Sequence, residues 1–308
     1  MYNYIDKPSK ISVYKKLTEQ ISSIRNELSE VEDLLHSLDS NIFKNIKILD
    51  FDYVEDEVII REQYLNEMNN LFDRLIVKNE PVKILISGKK DFGMKATINK
   101  FLSDFQELSK TLCKHIEVVK INCNHMKYNN FILLKIVKHF DSSFPDYGFS
   151  SDEIINHIIK FLQEHNQHLI LVLENIDTLM IRNGMGIFFK LLPMDNLSII
   201  CIYSRNTDGF YSLTTHDHES ILNEFQHIEF QRFSRSELEK IISRIIQDAF
   251  YGDVVPEDVV ERVVAIASID GDLKNAVELL WRAGYNAEYD GRGYITVQDI
   301  ENRMYSFS

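Results

Sequence analysis

Cysteine, proline and glycine are all scarce in this chain: its 308 residues include three Cys, five Pro and 11 Gly. Cys113, Cys123 and Cys201 are an odd number with no C-x-x-C pair. That argues against a disulfide framework or a zinc ribbon, and no metal site is expected from them. It predicts a reducing, cytoplasmic setting. So few Gly and Pro predict long regular elements and few elaborate loops. No apolar run reaches the roughly 18–20 residues of a membrane span. Residues 1–10 lack the apolar core of a secretion signal, so no membrane partner is expected. With 44% apolar and 26% charged residues, a wholly disordered chain is excluded. The length suggests two domains.

Basic residues are also outnumbered, 34 Lys and Arg against 47 Asp and Glu, for a net charge of −13. The deficit is uneven. Residues 1–150 carry −1 and residues 151–308 carry −12, while residues 83–138 hold 11 Lys and four acids. A basic stretch inside an acidic chain suits a phosphate-facing surface. The same lysines would equally solubilise exposed helices.

Hydrophobic spacing divides the chain into three parts. In residues 12–40, Tyr14, Leu17, Ile21, Ile24, Leu28, Val31, Leu35 and Leu38 alternate at intervals of three and four. This is a heptad seam, and it predicts a coiled-coil-like helix that packs on its own domain or on a partner. Residues 41–60 read as irregular. From there apolar strands (Lys83–Ser87, Ile116–Asn122, Leu169–Leu173, Leu197–Tyr203, Ile228–Phe230) alternate with helical segments. Among the helices are Arg61–Val77, Ala96–Leu108, Phe131–Phe140 and one opened by a capping box at Ser150 and Glu153. Strands apolar on both faces predict a parallel sheet covered by helices, an α/β domain over residues 41–233. Residues 234–308 read as helices alone. Ser234 and Glu237 form a second capping box, Pro256 sits near a helix start, and helices are predicted over Gly271–Glu288 and Thr296–Tyr305.

The segment Lys83–Thr97 has the strand–turn–helix form of a phosphate loop, G-x-x-x-x-G-K-[ST]. Gly88 and Gly93 have the right separation. Met94 stands where a lysine should reach the phosphates, and Lys95 where a hydroxyl should hold magnesium. One residue along a helix is a rotation of about 100°, so Lys95 does not substitute for the missing lysine. After Leu169–Leu173 comes Glu174-Asn175-Ile176-Asp177. Glu174 takes the metal-side position of an ATPase strand end, one methylene longer than the usual Asp. Asn175 takes the position of the base and cannot accept a proton. Glu174 and Asp177 also fit plain roles in loop solvation and helix capping. His216-x-His218 lacks a third ligand and reads as a polar surface turn rather than a metal site.

Order and spacing together carry a resemblance from about residue 41 to 305. Asn41–Asn45, Asp52-Tyr53-Val54, Arg61-Glu62, the loop at Gly88–Gly93, Gly271–Glu288 and Ile295–Ile300 resemble the archaeal origin-recognition and cell-division-control initiator family. These are AAA+ proteins that load the replicative helicase. The resemblance implies an AAA+ three-layer α/β domain followed by a helical lid. It implies an adenine nucleotide, with magnesium if bound held on the side of Glu174. The adenine would lie beside Tyr53 and Val54, and the phosphates in the loop formed by Gly88, Lys89, Lys90, Asp91, Phe92, Gly93, Met94, Lys95 and Ala96. The sensor-1 position falls at Ser204, the sensor-2 arginine at Lys274 and the arginine finger near His218. A duplex-contacting helical insertion maps to His125–Phe140, with Lys127, Lys135 and Lys138. The family's winged helix has no counterpart in these residues.

The departures fall on catalytic positions, so no intact catalytic set is expected. Three functions stay open from sequence. One is a non-hydrolysing scaffold or regulator of replication that binds other initiator subunits or replication proteins through residues 12–40. The second is an ATP-dependent binder of origin DNA. The third is a nucleotide-independent module that binds duplex DNA.

Overall fold

A computed structural model describes residues 40–50, 61–89, 92–125, 130–182, 184–203 and 216–301. The heptad segment therefore lies outside the described residues, apart from Ser40. So do Tyr53, Val54, Lys90, Asp91, Lys127 and Ser204. The chain divides into two compact units, one of residues 55–233 and one that joins residues 1–54 to 234–308.

The first unit is built on five parallel strands: β1 (Lys83–Gly88), β2 (His115–Asn122), β3 (Gln167–Glu174), β4 (Leu197–Tyr203) and β5 (Gln226–Phe230). Their spatial order is β2-β3-β4-β1-β5. Register is set by pairs such as Leu171 with Ile199 and Leu85 with Cys201. Successive side chains point to opposite faces, and both faces are apolar. Ile84, Ile86, Ile170, Val172 and Ile200 pack against α1 (Glu62–Lys78) and α2 (Met94–Thr111). Leu85, Leu169, Leu171, Leu173 and Ile199 pack against α3 (Asn130–Phe140) and α4 (Ser151–Glu164). This is the expected three-layer arrangement.

Between β3 and β4 lie the short helices α5 (Asp177–Ile181) and α6 (Phe188–Leu191), with α7 (His216–Leu222) before β5. The sequence pattern showed none of these, because a helix of one or two turns has too few residues to display a period. The stretch read as a polar turn at His216–His218 is therefore the start of α7.

The second unit holds α8 (Arg235–Ala249), α9 (Glu257–Asp270), α10 (Leu273–Tyr289) and α11 (Val297–Glu301). The capping boxes at Ser150/Glu153 and Ser234/Glu237 are both formed. Gly271 is not the start of a helix as expected. It caps the end of α9 at φ 65°, and Asp272 caps α10 through a bond from Asn275 N–H. Residues 40–50 pack in this unit, whereas the boundary read from sequence placed them with the strands. The reason is Phe43. Its ring lies 5.3 Å from that of Phe250 and 5.4 Å from that of Tyr285. A Cβ at Gly284 would overlap it, so only glycine lets α10 accept the ring. Asp299 is 7% exposed and fully engaged: both Arg292 nitrogens donate to it at 2.8 and 2.7 Å, and Thr296 donates through its N–H and hydroxyl at 2.8 Å each. Among the described residues no helix is long and apolar enough to cross a membrane.

A half-buried histidine lies on the sheet. His168 on β3 bonds Ser198 Oγ at 2.8 Å, and that oxygen accepts Val82 N–H at 2.9 Å. Burial, aided by the charge of Lys114, lowers the imidazole from 6.5 to about 4. The unfolded chain therefore takes up a proton first as pH falls. Stability should be intact above pH 6.5 and decline from there toward pH 4, by about 3 kcal/mol in full. Urea midpoints between pH 7 and 5 should fall less steeply for His168→Gln than for the native chain.

Candidate nucleotide site

In parallel α/β sheets ligands gather outside the carboxyl ends of the strands. Here those ends bring together Gly88 of β1, Asn122 of β2, Glu174 of β3 and Tyr203 of β4. Gly88 is required by a close approach. A Cβ there would lie 2.9 Å from Phe230 Cβ, 2.9 Å from the Phe230 carbonyl and 3.2 Å from Met94 Sδ. Gly93, at φ 75°, turns the chain into α2 and offers no side-chain cap. The helix start at Gly93 thus lies just beyond the carboxyl end of β1, where helix N–H groups can face an anion.

The side chains do something else. Met94 is 3% exposed and belongs to the apolar cluster with Ile86, Ile98 and Phe230. Its sulfur closes on Gly88 instead of reaching out of the loop. Lys95 is exposed and Ala96 is buried. The hydroxyl nearest the helix start is Thr97, fully buried, donating to Gly93 O at 2.7 Å and accepting Arg61 N–H at 3.0 Å. Lys89 Nζ lies 5.9 Å from the Phe92 ring centre.

Arg61 holds the loop in place. Its side chain donates to the carbonyls of Phe92 at 3.3 Å and Gln231 at 3.0 Å. Its guanidinium stacks on Phe233 at 4.4 Å and Tyr64 at 5.1 Å. The Tyr64 hydroxyl accepts Gln231 N–H at 2.8 Å, and its ring stacks on Phe230 at 3.9 Å. Sequence reading met Arg61 only as part of a family spacing. Its structural role had no local signal, because its partners lie 31 and 170 residues away.

Glu174 is half-buried at the end of β3, opposite Asn122. Its charge reaches Lys120, whose ammonium burial pushes down and Glu174 pulls back up. Asn175 has φ 55°, a conformation that favours Asn, and donates to Asn122 Oδ1 at 3.1 Å. It is therefore a turn residue as well as a non-basic one. Asp177 opens α5, where a carboxylate favours the helix N-terminus. Burial raises the Cys123 thiol to about 12, with Asp177 and Glu174 adding to it, and burial raises Cys201 also. Neither is a nucleophile.

Of the remaining expected residues, Lys274 is exposed in the first turn of α10, in the other unit. His218 lies in α7. The apolar half of α3 faces the core through Ile132, Leu133, Ile136 and Val137. Lys138 pairs with Asp146, while Lys135 is exposed and makes no ion pair among the described residues. No group of three or more His, Cys, Asp or Glu side chains is placed to hold a metal among the described residues. The first turn of α2 presents backbone N–H groups of the kind that a phosphate accepts from. At three of the positions where the resemblance departs from the family, Met94 is turned inward, Lys95 is exposed and Asn175 bonds Asn122.

Residues 239–303 match the family model of the Cdc6 AAA+ ATPase-type lid domain. Over 276 residues the chain is 30% identical to the ORC1-type DNA replication protein 1 of Sulfurisphaera tokodaii, covering 88% of this chain and 68% of that one. This chain belongs to the archaeal ORC1-type replication protein family. A second ORC1-type relative, protein 2 of Methanosarcina mazei, is 25% identical over 271 residues, covering 85% of this chain and 71% of its own. The ORC1-type chain thus spans about two thirds of the length of the curated relatives it matches. Its fold is that of the Aeropyrum pernix ORC1 protein solved in complex with DNA, with a TM-score of 0.66 at 24% identity over 85% of this chain and 69% of the other. It is likewise that of the Aeropyrum pernix ORC2 protein solved in ADPNP–ADP complexes, with a TM-score of 0.66 at 14% identity, covering 84% and 71%. The α/β unit is accordingly an AAA+ fold, followed by its helical lid.

Removing the Arg61 clasp should loosen the loop without touching the sheet. Arg61→Met leaves two carbonyls without this donor, and unfolding in urea should show a loss of about 1–3 kcal/mol. An unchanged midpoint would mean that the loop is held by its apolar contacts alone.

Proposed function

We propose that this ORC1-type chain serves DNA replication as a non-hydrolysing initiator-family subunit, a scaffold or regulator rather than a working ATPase. The observation that carries this reading is Met94, folded back onto Gly88 and Phe230 in the position where a P-loop lysine would meet the phosphates. Asn175 adds to it, since an amide at the base position cannot take a proton from water. The expected finger position at His218 adds further, because an arginine acting in trans is worth roughly 10³–10⁵ in rate. Support comes from the relatives, which are ORC1-type DNA replication proteins, and from two structural neighbours, one solved with DNA and the other with adenine nucleotides. DNA and other initiator subunits are the partners this reading implies. Residues 12–40 are the segment through which it would meet them, since a strict heptad line is narrower than a stripe that docks on its own domain.

ATP turnover should not rise above the enzyme-free rate in a steady-state phosphate-release assay, with or without duplex DNA. Robust hydrolysis that Glu174→Ala abolishes would overturn the reading. Leu28→Asp should lower the mass seen by light scattering while leaving the unfolding midpoint of the chain unchanged. A lowered midpoint with unchanged mass would make the seam an internal packing surface.

A further inference from the structure

We propose that the groove between the outer edge of β2 and α3 receives residues 26–39 of a second copy of this chain. The inference rests on the reading that residues 12–40 mediate association, and it names their receptor. β2 is the margin of the sheet and, among the described residues, pairs with β3 alone. A cavity of about 430 Å³ runs along its other edge. Its apolar lining includes Ile121 of β2 and Phe131 and Leu134 of α3, and Phe131 is 44% exposed. Three lysines line the cavity: Lys138 pairs with Asp146, the one carboxylate among the described lining residues, Lys120 bonds Asn99 of α2, and Lys135 is the cation exposed on the α3 side. An apolar groove bordered by cations takes an amphipathic helix with acidic flanks.

Residues 26–39 have that chemistry. They hold five acids (Glu27, Glu30, Glu32, Asp33 and Asp39) with no Lys or Arg, around the line Leu28, Val31, Leu35 and Leu38. Pairing this line with itself in parallel carries a like-charge cost. With Leu28 and Leu35 at a and Val31 and Leu38 at d, a parallel pair sets Glu27 of one helix against Glu32 of the other. A cationic surface removes that repulsion. The cavity follows β2 from Val118 to Ile121, about 13 Å, and would seat the middle of residues 26–39, which as a helix would span roughly 21 Å. Each copy would offer one segment and one groove, so the exchange closes as a two-fold dimer.

The test is sedimentation equilibrium on the full chain at micromolar concentration. The native chain should weigh twice 36.1 kDa. Lys135→Glu and Glu32→Lys should each shift the mass toward that of one chain, and the two together should restore the dimer. The restored partner guards against a misfolded single variant. If Lys135→Glu leaves the mass unchanged while Leu28→Asp lowers it, the groove is not the receptor and the association reading survives. A native mass of 36.1 kDa sinks the self-docking outright. Loss of duplex binding by Lys135→Glu with no change in mass assigns the surface to DNA and overturns the proposal.

Discussion

At the carboxyl end of β1 the backbone of Gly88 runs so near Phe230 that no side chain fits between them. That approach pulls β5 against β1 where the sheet ends, and it sets everything built on that end. Tyr64 covers Phe230 with its ring and takes the next N–H, that of Gln231, with its hydroxyl. Met94 fills the remaining space on the other side of Gly88. Arg61 then bonds the loop carbonyl of Phe92 and the strand-exit carbonyl of Gln231 with one guanidinium. The described ends of the loop, at Gly88 and at Phe92–Met94, are therefore packed against the core and held by stacking and by part-buried hydrogen bonds.

The same packing explains how an AAA+ frame can keep its shape while its side chains change. A P-loop lysine is useful only if its stem leaves the core and its ammonium reaches phosphate. Methionine has a similar length and a flexible apolar chain, so it turns inward and adds buried contact. Thr97, two residues past the position where a hydroxyl would meet magnesium, spends its hydrogen bonds on Gly93 and Arg61. Asn175 occupies a left-handed position and bonds Asn122. Each replacement is a good structural residue where it stands.

Charge is distributed by similar local logic. Lys120 bonds Asn99, Lys138 pairs with Asp146, and Lys135 stays exposed. The basic stretch is thus partly neutralised, at Lys138 by Asp146, which follows it in sequence. At about 0.15 M salt the Debye length is about 8 Å, so what remains acts locally, at the β2 edge, rather than as a field over the whole acidic chain.

Much of the frame was legible in the residues themselves. Continuous apolar runs of strand length, capping boxes at Ser150 and Ser234, and the spacing of Gly88 and Gly93 determined the parallel sheet, several helix starts and the place of the loop. These are local properties: a period, a cap, a turn. Asn175 could be read as non-basic, but its left-handed backbone could not. Only the tertiary structure decided that Met94 points inward, that Arg61 clasps the loop to β5, and that Phe43 belongs with Phe250 and Tyr285 rather than with the strands. Those outcomes depend on contacts between residues far apart in the chain, and no local spacing records which distant side chain will fill a given space.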